Sequence, residues 1–276
     1  YQSKHESFPD RMFSYLHIIL IAAECVHVFS EEQYNLPSDF EYFPNLEAIK
    51  AFFRNDTHPL SNQILETFEK DCLYMENPGV PDGKRKPFIV IEGNHRSSRD
   101  VIGMKLANRL NGRYLTNLAP CLHQHFKHLS PGSVTRRVFY LLSIYASAFN
   151  ALINLNLNRA VVLNGYWLEQ VTFSLLHSLG EAPAPPVTSS IFRYPSDLLE
   201  PDLLIYLDLP EDHGKKRSPS LHRIRSNDLY SQLSALYPIT IQSLAKVYRI
   251  AIDEVYYNVR SNLSASRDFR YKADPY

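Results

Sequence analysis

The alternation of hydrophobic and polar positions predicts strands and helices in turn from residue 88 to residue 262. Four consecutive apolar residues that favour β-structure, Phe88 to Ile91, precede a Glu-Gly turn and a polar loop. After the loop, apolar residues recur at helical spacing: Val101, Ile102, Leu106 and Leu110. This stretch therefore predicts a strand at 88–92, a loop, and a helix at 100–110.

The same patterns predict further elements downstream. The strands are expected at residues 113–116, 160–164, 203–208 and 239–242, and the helices at 133–153, from Trp167 onward and at 244–259. Strands that alternate with helices imply right-handed crossovers, so the predicted fold class is α/β, with a parallel five-stranded sheet flanked by helices. Ligands of such sheets bind beyond the carboxyl ends of the strands, which here are Gly93, Asn164 and Asp208 with their loops.

The residues at the start of the chain are predicted to form a leader. Residues 1–30 contain an apolar run from Tyr15 to Ala23 that is shorter than the roughly 20 residues needed to span a bilayer. The run is typical of a secretory signal, with Val28 and Ser30 at the −3 and −1 positions, and Met12 is a candidate start. A buried N-terminal helix is the alternative interpretation.

An acidic extension follows the leader and covers residues 31–87. Two apolar faces predict two short helices in it: Leu46, Ile49, Phe52 and Phe53, then Ile64, Leu65, Phe68 and Leu73. We expect this N-terminal helical extension to pack as a cap on the domain at residues 88–262. Residues 263–276 are expected to form a polar tail.

Composition and charge exclude some classes of partner. Lys and Arg together number 29, as do Asp and Glu, and this balance gives no bulk electrostatic case for nucleic acid or an anionic membrane. The cysteines are Cys25, Cys72 and Cys121, and no two of them form a Cys-x-x-Cys pair. Their wide separation predicts neither a disulfide framework nor a zinc site. The histidines at positions 123, 125 and 128 have no acidic or cysteine partner at ligand spacing, so they are interpreted as surface residues.

The loop after the first strand has the position of a phosphate-binding loop but not its sequence. Such a loop needs Gly, four residues, Gly, Lys, and Ser or Thr, because its backbone amides and Lys hold phosphates while the hydroxyl holds magnesium. Only Gly93 is in place. Ser98 stands where the second Gly belongs, Arg99 where Lys belongs, and Asp100 where the hydroxyl belongs.

Three further segments resemble the thymidylate kinase superfamily, and within it most closely the mitochondrial UMP-CMP kinases, over roughly residues 86 to 262. The segments are Thr135 to Tyr140 (TRRVFY), Ala160 to Trp167 (AVVLNGYW) and Tyr194 to Leu203 (YPSDLLEPDL). The resemblance implies a P-loop NTPase-like fold and an ATP-dependent kinase for nucleoside monophosphates of the pyrimidine type. ATP and Mg²⁺ are the cofactors it implies.

The resemblance also assigns candidate site residues by position. The nucleotide-binding loop would be Gly93, Asn94, His95, Arg96, Ser97, Ser98, Arg99 and Asp100. Arg99 and Asn164 would be the catalytic candidates, and Asp100 the metal ligand. The acceptor pocket would contain Arg136, Arg137 and Tyr140, and the lid would contain Lys216, Arg217, Arg223 and Arg225.

Several of these positions depart from the family's pattern. The Asp-Arg pair of the family reads Asn164-Gly165 here, so both charges are lost, and Asp100 would repel phosphate unless a metal lies between them. Like charges about 4 Å apart cost on the order of 4 kcal/mol at an effective dielectric of 20. We therefore favour a kinase-like protein with impaired or absent phosphoryl transfer, retained as a nucleotide-binding or interaction module. The alternatives are an active kinase that uses substituted residues and a structural partner protein without a ligand.

Location and partners are predicted from the leader and the resemblance. The leader predicts the secretory pathway or the extracellular space, whereas the resemblance implies the mitochondrion. We expect a nucleotide and a homodimer as candidate partners, no nucleic acid and no membrane span. Asn55-Asp56-Thr57 and Asn262-Leu263-Ser264 are glycosylation sequons whose use requires secretion.

Overall fold

A computed structural model describes residues 36–37, 40–76, 79–81, 85–208, 220–243 and 248–264. The predicted leader, Cys25, the lid residues Lys216 and Arg217, and the tail beyond residue 264 lie outside these ranges. The remaining predicted site residues are all described.

Within the described residues, strands form one parallel five-stranded sheet in the order β2-β3-β1-β4-β5. The strands are β1 (Phe88–Gly93), β2 (Arg113–Thr116), β3 (Val161–Asn164), β4 (Leu203–Asp208) and β5 (Ile239–Ser243). The central strand β1 pairs on both sides, so that Ile89 lies opposite Val162 on β3 and Leu203 on β4. The predicted α/β fold, with a parallel five-stranded sheet, is confirmed.

Helices cover both faces of the sheet. They are α1 (Leu46–Asn55), α2 (Ser61–Thr67), α3 (Arg96–Arg109), α4 (His123–Phe126), α5 (Val134–Asn156), α6 (Trp167–Leu179), α7 (Leu221–Leu233) and α8 (Tyr248–Ser264). A π-helical turn (Phe68–Cys72) continues α2, and 3₁₀ turns lie at Pro120–Leu122 and Ser190–Phe192. The two short helices expected in the extension are therefore present as α1 and α2.

The core is formed by β-branched and leucine side chains between the sheet and α3 and α8. On this face Ile91 of β1 packs with Ile102 and Leu106 of α3 and with Val255 and Val259 of α8. On the opposite face α5 lies against β2 and β3, and α6 packs on α5 and α7. Among the described helices α5 is long and apolar enough to cross a membrane, but 67% of its most apolar window is buried in the protein, as a core helix requires.

Two aspartates of the long Tyr194 to Leu203 segment hold the backbone together. The Asp202 carboxylate accepts hydrogen bonds from the two terminal guanidinium nitrogens of Arg85, at 2.6 and 2.7 Å, and from the backbone amide of Phe88 at 2.7 Å. Asp197 accepts the amide of Leu46 at 2.9 Å and the hydroxyl of Tyr145 at 2.8 Å. These contacts fix the entry of β1 and tie α1 to α5, so the two aspartates have structural roles.

The extension is also joined to the sheet domain by a disulfide between Cys72 and Cys121. The two residues are 49 positions apart in sequence, and their Cα atoms are 5.5 Å apart. The sequence-based expectation of no disulfide was therefore wrong. It failed because the π-helical turn after α2 packs on the 3₁₀ turn that follows β2, and such a contact leaves no mark in cysteine spacing.

We expect Cys72→Ser to destabilise the protein by about 2 to 5 kcal/mol, because the disulfide limits the freedom of the unfolded chain. Thermal unfolding should show a lower Tm for this variant, and Cys121→Ser should give the same value. A reductant should lower the Tm of the native protein and leave the variant unchanged. Equal Tm values for the variant and the oxidised native protein would contradict a structural disulfide.

Candidate functional site

The loop between β1 and α3 is shorter than the sequence suggested. Helix α3 begins at Arg96, not at Asp100, which leaves Asn94 and His95 as the loop. The His95 ring caps the helix, because its Nδ1 lies 3.3 Å from the amide of Ser98 and 2.8 Å from that residue's hydroxyl oxygen. Residues 96–100 are therefore helical, and they cannot wrap around a phosphate chain as the phosphate-binding pattern requires.

Gly93 is required here by the packing of the sheet. Its φ of +137° is a conformation that L side chains rarely adopt. A Cβ at this position would also clash with the backbone carbonyl oxygen of Leu207 on β4 and lie 2.9 Å from its nitrogen. The one glycine that matches the phosphate-loop pattern thus has a structural reason to be there.

Arg99, the candidate for the phosphate-binding cation, points into the protein. The residue is only 7% exposed, and its guanidinium forms an ion pair with Glu169 in the first turn of α6. Burial raises the pKa of the Glu169 carboxyl, and the charge of Arg99 acts in the opposite direction. The Nε atom of Arg99 has no hydrogen-bond partner among the described residues. The positive charge that would bind a phosphate is therefore already balanced by the Glu169 carboxylate within the protein.

The position of Glu169 depends on Gly165. A Cβ at residue 165, where φ is +77°, would clash with the Glu169 carboxylate and lie 2.9 Å from the Asn117 amide nitrogen. The arginine that the family carries at this position could not be present without moving Glu169. A side chain at residue 165 and the present position of the Glu169 carboxylate therefore exclude each other.

Asp100 and Asn164, the candidate metal ligand and a candidate catalytic residue, contact each other. Asp100 Oδ1 accepts the amide of Asn164 at 2.6 Å and the hydroxyl of Tyr114 on β2, also at 2.6 Å. Burial, and then the bond to Asp100, raises the pKa of the Tyr114 hydroxyl, which keeps it a donor. No group of three or more His, Cys, Asp or Glu side chains suited to a metal occurs in the part of the chain that the structure describes.

Glu92, at the end of β1, was not singled out by the sequence. It is fully buried, and its carboxylate accepts the backbone amides of Tyr166 at 3.0 Å and Glu169 at 3.2 Å and the hydroxyl of Tyr230. Burial, and then the nearby Glu169 charge, raises the pKa of Glu92 to about 7. One signal in the sequence could have identified Glu92: it is a charged residue that directly follows a run of four apolar strand residues.

The lid arginines that the structure describes are both bound to the protein itself. Arg223 of α7 donates to Asp208 Oδ1 at the end of β4, at 2.7 and 3.2 Å, and Asn94 donates to the same oxygen at 3.2 Å. Arg225 donates to the backbone carbonyls of Gly180 and Ala182 after α6. These arginines hold α7 against its neighbours instead of covering an open cleft.

The structure places the residues predicted for the acceptor pocket in two separate environments. Arg136 donates to the carbonyl of Leu129 at 2.9 Å, and its guanidinium lies 4.3 Å from the ring centre of Phe126. Tyr140 packs edge-on against that same ring. Arg137 instead lines a small cavity with Trp167 of α6, and residues 40–43 of the extension close one side of it.

Comparison with solved structures finds kinases at low identity. A thymidylate kinase from Candida albicans is 15% identical, with a TM-score of 0.44, over 67% of this chain and 93% of that one. A thymidylate kinase from Ehrlichia chaffeensis is 14% identical, with a TM-score of 0.47, over 64% and 99%. A deoxyadenosine kinase from M. mycoides, solved with bound dATP, is 13% identical, with a TM-score of 0.41, over 62% and 98%.

These likenesses concern the fold alone. At TM-scores below 0.5 we draw no conclusion about activity from them. No protein-family model matches the chain, and no curated protein sequence matches it. The function proposed below therefore depends on the residues of this chain.

We expect Arg99→Met to destabilise the folded protein by about 2 to 3 kcal/mol, because it leaves the Glu169 carboxylate without its partner. Glu169→Gln should be comparably destabilising, and the double variant should lose less than the sum of the two. Lys105→Ala, which removes an exposed cation of the same helix, is the matched control and should stay within about 0.5 kcal/mol. Additive effects in denaturant unfolding would show that the two side chains do not interact.

The raised pKa of Glu92 predicts a stability that falls as the pH rises. Its carboxyl binds a proton more tightly in the folded than in the unfolded protein, so its stabilising contribution is complete below pH 4.5 and is lost as the pH approaches 7. The slope should be at most about 1.4 kcal/mol per pH unit. Glu92→Gln should flatten the profile between pH 5 and pH 8, whereas the exposed control Glu181→Gln should not. Parallel profiles for Glu92→Gln and the native protein would exclude this titration.

Proposed function

We propose that this chain is a kinase-fold protein that does not transfer phosphate and that acts as a binding module. The observation that carries the proposal is the burial of Arg99 in an ion pair with Glu169. A phosphate could reach that guanidinium only if the pair separated, which would leave a carboxylate partly buried without a counter-charge.

Phosphoryl transfer needs a cation on the phosphates, a metal that bridges them, and groups that balance the developing charge. Among the described residues, Arg99, Arg223 and Asp100 are the candidates for these roles that already have a partner within the protein. Arg99 pairs with Glu169, and Arg223 pairs with Asp208. Asp100 Oδ1 accepts hydrogen bonds from Tyr114 and Asn164. Because catalytic groups cooperate, several such changes at once leave little of the original activity.

The residues present do not fit ATP and Mg²⁺ in the manner that the resemblance implies. The loop of two residues before α3 provides no cradle of backbone amides, and the carboxylate of Asp100 stands in the place of the metal-binding hydroxyl. We therefore derive no reaction step through either cofactor. This favours an interaction module over a working kinase of pyrimidine monophosphates.

A nucleotide-binding module without transfer is a second candidate, and one observation favours it. The N-terminus of α3 has Asn94 and Arg96 exposed beside it, and helix N-termini attract anions. Binding there would engage a phosphate from the outer surface. It would not require the pair formed by Arg99 and Glu169 to open.

We also propose that the protein resides in the secretory pathway or outside the cell. The disulfide between Cys72 and Cys121 supports this location, because disulfides persist in oxidising compartments and are rare where thiols are kept reduced. The secretory character of residues 1–30 agrees with it. A mitochondrial location, which the resemblance alone suggested, has no comparable support from the described residues.

Incubation with ATP, Mg²⁺ and each of UMP, CMP, dUMP and dTMP should yield no diphosphate. Turnover in the range usual for kinases, about 1 to 100 per second, would overturn the proposal. A thermal-shift titration with the same nucleotides separates the two candidates, since a ligand at 100 times its Kd stabilises by about 2.7 kcal/mol. Absence of a shift supports an interaction module. A shift that Arg96→Ala abolishes supports nucleotide binding at the N-terminus of α3.

A further inference from the structure

Two sequons lie on the surface of this protein, and their surroundings differ. We propose that Asn55 carries an N-linked glycan and that Asn262 does not. The inference rests on the proposed secretory location, because the modification occurs only on chains that enter that pathway. An acceptor of this kind is expected in a surface loop or turn of a secreted protein.

The sequon at Asn55 lies where helix α1 ends. Asn55 is the last residue of the helix, and Asp56 after it is extended, with φ −73° and ψ 138°. Asn55 and Thr57 are both exposed, and the Asn55 side-chain amide donates to the carbonyl of Ala51 in its own helix, at 2.9 Å. Among the described residues this hydrogen bond is local to helix α1 and does not hold the tertiary structure.

Asp56, the middle residue of this sequon, directs its side chain toward the protein instead of the solvent. Asp56 accepts the hydroxyl of Ser61 at 2.6 Å and that of Thr135, in the first turn of α5, at 2.9 Å. Asp56 thus anchors the turn between α1 and α2 to the sheet domain. Because Asn55 and Thr57 lie on the outer side of that anchor, a bulky glycan on Asn55 would extend into solvent without disturbing the packing.

The sequon at Asn262 lies within the last turns of α8. Its middle residue, Leu263, is 3% exposed and belongs to the main hydrophobic core. The Asn262 amide donates to the carbonyl of Asn258 at 2.8 Å and lies 3.3 Å from the hydroxyl oxygen of Thr240 on β5. A glycan on this nitrogen would replace a contact between α8 and β5, and the helical backbone is not the turn that such acceptors favour.

The disulfide provides independent support for the compartment on which this depends. Cys72 is 1% exposed and joins the same extension that carries Asn55 to the residues after β2. A chain that forms this bond has passed through an oxidising environment. In eukaryotic cells that environment is also where asparagine acceptors are modified.

The test uses the full 276-residue chain in a eukaryotic secretory host, once with its own N-terminus and once behind an added cleavable secretion signal. Glycan is detected by the mobility change after endoglycosidase treatment and is assigned by peptide mass spectrometry. We expect a single glycan that Asn55→Gln and Thr57→Ala abolish. Thr57→Ser should retain it, because Ser also completes the sequon.

Two controls make the assignment specific. Asn262→Gln should leave the glycan in place, as should Asn62→Gln, which removes an exposed asparagine of α2 outside any sequon. Loss of secretion in a variant is separated from loss of glycan by comparing the intracellular fractions. Non-reducing electrophoresis reports on the disulfide between Cys72 and Cys121 in the same samples.

The outcomes separate the modification from the compartment. A chain behind the added signal that stays without glycan overturns the assignment of Asn55 and leaves the kinase-fold proposal untouched. A glycan on Asn55 that forms only with the added signal supports the assignment of the acceptor and shows that residues 1–30 do not direct secretion by themselves. A glycan found on Asn262, alone or together with Asn55, also overturns the proposal.

Discussion

The site depends most on the ion pair between Arg99 and Glu169. A guanidinium that is only 7% exposed would have a large desolvation cost on its own, and a carboxylate in the same enclosed space offsets that cost. Glu169 can hold this position because Gly165 has no side chain to clash with its carboxylate. The cation that stands at the lysine position of the phosphate-loop pattern is therefore part of the folded interior.

A second constraint acts at the end of the central strand. Glu92 binds the start of α6 through two backbone amides and holds α7 through the hydroxyl of Tyr230. Because its carboxyl is buried and lies near the Glu169 charge, its pKa rises to about 7. The carboxyl ends of the strands meet here, where related architectures bind ligands. In this chain the polar groups at that edge mainly bind one another.

The segments that match the kinase pattern best are those whose side chains hold the backbone in place. Asp202 fixes the entry of β1, Asp197 joins α1 to α5, and Arg136 rests on an aromatic ring. The positions that depart from the pattern, Ser98 and Gly165 among them, are those that would face phosphate.

The sequence by itself determined the order of the strands along the chain, most of the helices between them, the parallel sheet and the departures from the phosphate-loop pattern, whereas helix α7 was not predicted. Buried positions recur along the chain with the period of the strand or helix that carries them, so the spacing of apolar residues reveals the type of element. Only the tertiary structure decided the start of α3 at Arg96, the disulfide, and the contacts of Glu92 and Glu169. These pairings join residues 49, 70 and 138 positions apart. Such pairings depend on how elements pack, and no local pattern along the chain records that packing.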